Sequence, residues 1–143
     1  MAEGRVLLVD DEEEFIELLA ERMRTRGLTV RTVYSGAGAV ALLEQESFDA
    51  VVLDMVMPEM DGMETLRRLR ELRPELQVIL LTGYADLPTG VAAIKEGAAD
   101  YLEKPADINQ LLTKINNAKA RTALLFEERM QEKIDKILRK KGW

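Results

Sequence analysis

Short unbroken apolar runs alternate along this chain with longer stretches of helical periodicity. Val6-Leu-Leu-Val9, Ala50-Val-Val-Leu53 and Val78-Ile-Leu-Leu81 are continuous, the pattern of strands covered on both faces. Leu28–Val33 is more mixed, as suits an edge strand, and Ala99–Leu102 is a short fifth strand. Between them, Glu13–Arg26, Ala37–Gln45, Met63–Leu72 and Thr89–Glu96 read as helices. In the first of these, Phe15, Leu18, Leu19, Arg22 and Met23 trace a stripe at helical spacing. Ser35 and Asp61 suit N-caps of the second and third, and Gly27 and Gly97 stand where left-handed caps close the first and fourth. A fifth helix is expected after Pro105, from near Ala106 or Asp107.

Strands and helices in strict alternation predict an α/β fold with a doubly wound, five-stranded parallel sheet. Right-handed crossovers place helices on both faces, and the functional site is then expected at the carboxyl ends of the strands. At those ends the chain carries Asp10-Asp11-Glu12 after the first strand, Asp54 after the third, Thr82-Gly83 after the fourth and Glu103-Lys104-Pro105 after the fifth. Four strands thus deliver Asp, Asp, Asp, Thr and Lys to one edge.

Composition narrows the chemistry available there. The chain has 143 residues, 47% hydrophobic and 32% charged, enough for one soluble domain with a real core. It contains no cysteine and no histidine. Disulfides, thiolate or imidazole metal sites and histidine-based triads are therefore excluded. No apolar run approaches the roughly 20 residues of a membrane span, and the N-terminal segment lacks the layout of a signal peptide, so a cytoplasmic location is expected. From Lys119 onward there are eight basic and four acidic side chains, leaving twelve basic against twenty-two acidic before it. A body ten charges negative repels nucleic acid, and direct nucleic-acid binding by it is not expected.

Carboxylates brought close together need a cation between them, and oxygen ligands without His or Cys favour Mg²⁺. A metal so held can neutralise a phosphoryl group in transit, and an Asp carboxylate can accept that group as an acyl phosphate. Lys104 offers a compact positive charge to a phosphate oxygen, and Thr82 a hydroxyl. Each residue also has a plainer reading: Asp10 and Asp11 as caps of the first helix, Asp54 as a turn residue, Thr82 as a loop residue, Lys104 as a surface charge. Their convergence on separate strand ends favours the phosphoryl site.

At these residues the chain resembles the receiver domain of bacterial two-component response regulators. The matching segments are Val6-Leu-Leu-Val-Asp-Asp-Glu12, Val52-Leu-Asp-Met-Val-Met-Pro-Glu-Met-Asp-Gly62, Leu81-Thr-Gly-Tyr-Ala85 and Ala98-Ala-Asp-Tyr-Leu-Glu-Lys-Pro105. The resemblance covers roughly the first 118 residues and implies a flavodoxin-like strand order 2-1-3-4-5. It implies Asp54 as phosphoacceptor, with Asp10, Asp11, Asp54 and the backbone carbonyl of Met55 as the protein's magnesium ligands. Lys104 and Thr82 become the phosphate-sensing pair, and Tyr101 the switch aromatic, whose plainer reading is a partly buried core Tyr. A histidine kinase or phosphotransfer protein is the implied donor, and a downstream protein the implied target. Val56 and Tyr84, two residues beyond Asp54 and Thr82, tune dephosphorylation, and their apolar and bulky side chains suggest slow self-dephosphorylation. Aspartyl-phosphate hydrolases share the Asp nucleophile and magnesium but resemble a pattern with a second Asp where Val56 stands, which disfavours that class.

Residues 1–118 form the expected receiver domain and 119–143 an amphipathic helical extension. Leu124, Leu125, Phe126, Met130, Ile134, Ile137 and Leu138 give the extension an apolar pattern. It is open to three readings: a helix packed back on its own domain, a homodimerisation helix, or a linker to the effector of a larger transcriptional regulator. Self-association is favoured, since exposed apolar stripes find partners.

Overall fold

The computed structural model describes residues 4–55, 61–83, 87–105 and 107–142. In chain order the elements are β1 (Arg5–Val9), α1 (Glu13–Arg24), β2 (Thr29–Val33), α2 (Gly36–Gln45), β3 (Ala50–Leu53), α3 (Gly62–Leu72), β4 (Gln77–Thr82), α4 (Leu87–Lys95), β5 (Asp100–Glu103) and α5 (Ile108–Lys140). The strands form one parallel sheet in the order β2-β1-β3-β4-β5. This is the expected doubly wound topology, with the mixed second strand at an edge.

The unbroken apolar runs have a direct cause in the pleat. Successive side chains point to opposite faces, so Val6 and Leu8 of β1 join one core while Leu7 and Val9 join the other. In the same way Ala50 and Val52 separate from Val51 and Leu53, and Ile79 and Leu81 from Val78 and Leu80. The first core is covered by α1 and α5, through Ile16, Ala20, Met23, Leu111, Ile115 and Ala118. The second is covered by α2, α3 and α4, through Ala39, Leu43, Leu66, Leu69 and Ala93. Every strand residue in the middle of the sheet needs an apolar side chain because both sides are dry.

Local signals place the helix ends. Ser35 Oγ accepts from Gly38 N–H at 3.0 Å and Asp61 Oδ1 from Glu64 N–H at 2.9 Å, so both act as the expected N-caps. Asp107 caps α5 by accepting from Asn109 N–H at 3.0 Å. Gly27 and Gly97 take positive φ, 93° and 103°, after α1 and α4. The buried stripe of α1 departs from expectation. It is Ile16, Ala20 and Met23, with Phe15 and Leu19 at its margin, while Leu18 is 62% exposed. The i, i+4, i+7 set led by Ile16 faces the sheet and α5, whereas Leu18 and Arg22, two residues out of step with Ile16 and Ala20, stand on the opposite, exposed face of the helix.

α5 runs through residue 118 without a break and, at 33 residues, is on the order of 50 Å long. Its buried residues end at Ala118. Past that point Thr122 ties it to the amino ends of two strands: its hydroxyl accepts from Gln77 N–H at 3.2 Å and shares its proton between the Asp49 and Ala118 carbonyls, each at 2.9 Å. Arg129 then donates to the nearly buried Glu75 carboxylate at 2.8 Å. Further on, Ile134, Ile137 and Leu138 are 41–60% exposed. Among the described residues no helix is long and apolar enough to cross a membrane.

Candidate functional site

The site grows out of the sheet register. Val9 pairs with Leu53, Leu53 with Leu80 and Thr82 with Glu103, so the carboxyl ends of the central strands lie level. The ladder continues one residue further, with Asp10 N–H donating to the Val33 carbonyl at 3.2 Å and Asp54 N–H to the Val9 carbonyl at 2.9 Å. Asp10 and Asp54 therefore leave adjacent strands side by side, and both are buried, at 4% and 5% exposure.

Two local devices hold these ends. Asp10 Oδ1 accepts from Glu12 N–H at 2.9 Å, an Asx-type turn that redirects the chain into α1. Glu12 itself occupies the N-cap position and makes no side-chain cap bond, so neither Asp10 nor Asp11 is spent as the cap of α1. At the other end, Gly62 N–H donates to the Met55 carbonyl at 2.9 Å. Any Cβ on Gly62 would stand 2.5 Å from Met55 Cα and 2.8 Å from the Asp54 and Met55 carbonyl oxygens. Only glycine lets α3 start against this strand end.

Lys104 arrives from the end of β5, followed by a cis Lys104–Pro105 peptide. Its Nζ donates to Asp10 Oδ2 at 2.7 Å and Glu12 Oε1 at 2.9 Å, lies 3.9 Å from Asp54 Oδ1, and sits 4.5 Å above the Phe15 ring. Burial pushes the ammonium pKa down, but the hydrogen bonds to Asp10 and Glu12 and the charges of Asp10 and Asp54 outweigh it, and the net shift is upward. Lys104 stays charged and serves as internal counter-ion to the carboxylates.

Asp10, Asp54 and Lys104 are thus brought together as the strand-end argument expected. Glu12 joins them: one oxygen each from Asp10, Glu12 and Asp54 lies within 4.8 Å of the others. Asp11 is exposed and outside that group. Glu12 was visible in sequence as the third acid of the run, but nothing there distinguished its reach from that of Asp11. An all-oxygen group of this span fits a hard divalent cation such as Mg²⁺, and the Met55 carbonyl keeps a second lone pair beside its bond to Gly62.

Thr82 is the last residue of β4, level with Glu103. Tyr101 is partly buried against the α2–α4 core, its ring 3.5 Å from where a Cβ on Gly90 of α4 would stand. Val56 and Tyr84 lie outside the described residues.

Residues 6–116 match the response regulator receiver domain family. The chain is similar to the transcriptional regulatory protein GlrR of Escherichia coli, 36% identical over 131 residues, which covers 92% of this chain and 30% of GlrR. It is 40% identical over 110 residues to the photosynthetic apparatus regulatory protein RegA of Cereibacter sphaeroides, covering 77% of this chain and 60% of RegA. Among solved structures, a response regulator receiver domain protein from Clostridium thermocellum superposes with a TM-score of 0.79 at 37% identity, covering 85% of this chain and 98% of that one. NtrX from Brucella abortus superposes with a TM-score of 0.82 at 30% identity, covering 90% of this chain and 29% of that one. The chain therefore spans less than two thirds of the length of GlrR and RegA.

Proposed function

We propose that this chain, which belongs to the response regulator receiver domain family, is a phosphorylation-operated signalling switch with Asp54 as its phosphoacceptor. The observation that carries the reading is the buried Asp54 carboxylate at the end of β3, flanked by Asp10 and by the charged Lys104. An Asp54 oxygen attacks phosphorus of a phosphohistidine on a histidine kinase or phosphotransfer protein; the P–N bond breaks, an acyl phosphate forms and the imidazole leaves. Asp10, Asp11, Asp54 and the Met55 carbonyl would hold Mg²⁺, which supplies neutralising charge to the phosphoryl oxygens. Lys104 supplies a second positive charge, Thr82 a hydroxyl, and Tyr101 follows Thr82 as the switch aromatic. Phosphorylation brings close to two negative charges to the strand ends and biases the surface around β4, α4 and β5 toward a second state.

The working division is a receiver over residues 1–118 and a helical extension over 119–143, acting in the cytoplasm. The exposed apolar positions of α5 support homodimerisation through the extension, with output to a downstream protein. A linker role is the second reading, favoured by the greater length of the relatives that are named as transcriptional regulators. Val56 and Tyr84 argue for slow self-dephosphorylation.

With Mg²⁺ and a small phosphodonor such as acetyl phosphate, intact-mass measurement is expected to show one added phosphate, absent in Asp54→Asn and persistent for minutes after the donor is removed. Phosphate retained in Asp54→Asn would sink the assignment, and loss within seconds would overturn the slow reversal. Turnover of external phosphate esters would point to a hydrolase instead.

A further inference from the structure

With Asp54 taken as the phosphoacceptor, we propose that Glu12 is a positioning residue that holds the Lys104 ammonium away from Asp54 in the unmodified protein. Glu12 thereby competes with the phosphoryl group for Lys104.

Lys104 has three N–H donors. Two are committed, to Asp10 Oδ2 at 2.7 Å and Glu12 Oε1 at 2.9 Å, whereas Asp54 Oδ1 stands at 3.9 Å. The Lys104 side chain is only 11% exposed, and its ammonium rests over the Phe15 ring at 4.5 Å. Its stem is enclosed, so the charged head is confined to a short arc along the three carboxylates. Its two hydrogen-bonded partners differ. Asp10 is buried and its other oxygen is held by Glu12 N–H, so it is a fixed partner. The Glu12 side chain is 64% exposed, so its carboxylate can return to water at small cost. The Glu12–Lys104 bond is the one that can open.

A phosphoryl group on Asp54 carries nearly two charges against one on Glu12, so it wins the ammonium. An interaction made only in the unmodified state weakens the modified one by its full worth. With Glu12 as open to solvent as it is, that amounts to roughly two- to five-fold in affinity for a phosphoryl mimic. Glu12 thus raises the threshold of the switch without touching the phosphoryl group. Sequence could not show this, because Asp11 and Glu12 are adjacent acids and only the turn at Asp10 aims one of them at Lys104.

The experiment titrates beryllium trifluoride, at saturating Mg²⁺ and fixed ionic strength, into the wild type, Glu12→Gln, Lys104→Met and the double variant. NMR of the backbone amides reports affinity. Glu12→Gln is expected to bind roughly two- to five-fold more tightly, with no gain in the Lys104→Met background. Equal gains in both backgrounds would mean that Glu12 merely repels the anion, and no gain or a loss in Glu12→Gln alone would equally overturn the proposal. The Lys104 side-chain ammonium resonance, in metal-free unmodified protein, is expected to shift in Glu12→Gln, and an unchanged resonance would also refute the contact. Undiminished beryllium trifluoride binding by Asp54→Asn would instead refute the phosphoacceptor reading, leaving the ammonium measurement to judge Glu12 by itself.

Discussion

At the scale of single residues, Lys104 and Gly62 set the character of the site from opposite directions. Lys104 is stabilised as a cation by Asp10 and Glu12, so its pKa lies above the ordinary lysine value. A raised pKa contributes stability in full below the unfolded value and loses it as pH rises through the folded one. In metal-free protein, Lys104→Met is therefore expected to lower the melting temperature at neutral pH. The gap to wild type should narrow above about pH 10.4, as thermal denaturation across an alkaline series would reveal. A gap that stays constant would show that the contribution is packing and not charge. Gly62 acts by having no side chain. Gly62→Ala drives a methyl to 2.5 Å from Met55 Cα, and overpacking against backbone costs about 1–3 kcal/mol. Urea denaturation should register that loss. Phosphate uptake should slow as well, because the displaced strand end carries Asp54 and Met55.

At the scale of elements, α5 is the part whose behaviour changes along its length. Its first third is core, through Leu111, Ile115 and Ala118; its middle is tied down by Thr122 and Arg129; its end exposes Ile134, Ile137 and Leu138. Thr122→Val keeps the shape of the side chain but leaves Gln77 N–H and the Asp49 carbonyl short of a partner. The expected loss is about 1 kcal/mol, with faster amide exchange at Gln77. Unchanged exchange there would mean that the hydroxyl adds nothing to the strand ends. The Arg129–Glu75 pair adds less than its short distance suggests, since the Arg129 side chain is 44% exposed and water screens it. Together these contacts fix the direction in which α5 leaves the sheet, which a helix held by its first turns alone would not do.

At the scale of the whole molecule, the acidic body and the basic extension make distinct surfaces. Ile134, Ile137 and Leu138 are exposed on the distal part of α5, and a second copy of the helix would bury them. Sedimentation equilibrium is expected to find a dimer that Ile134→Glu dissociates while far-ultraviolet circular dichroism stays unchanged. A monomer at every concentration, phosphorylated or not, would leave the linker reading of the extension.

The strand and helix order, both edge and central strands, the N-caps Ser35 and Asp61 and the strand-end acids were all legible in the residues. Each depends on local chemistry: hydrophobic period, a capping oxygen, a residue one step past an apolar run. The face of α1 was not, because Leu18 and Ile16 are equally apolar and only packing against β1 and α5 selects Ile16 for the core. Nor could sequence tell that α5 would be fastened at Thr122 and Arg129, since their partners, Asp49, Gln77 and Glu75, lie 45 to 73 residues away. The site divides in the same way. That Asp10, Asp54 and Lys104 share an edge follows from parallel strands alone, whereas the aiming of Glu12 at Lys104 arises where the Asx turn, the β5 end and the Phe15 ring converge. Sequence determined which groups reach the edge, and tertiary packing decided which of them touch.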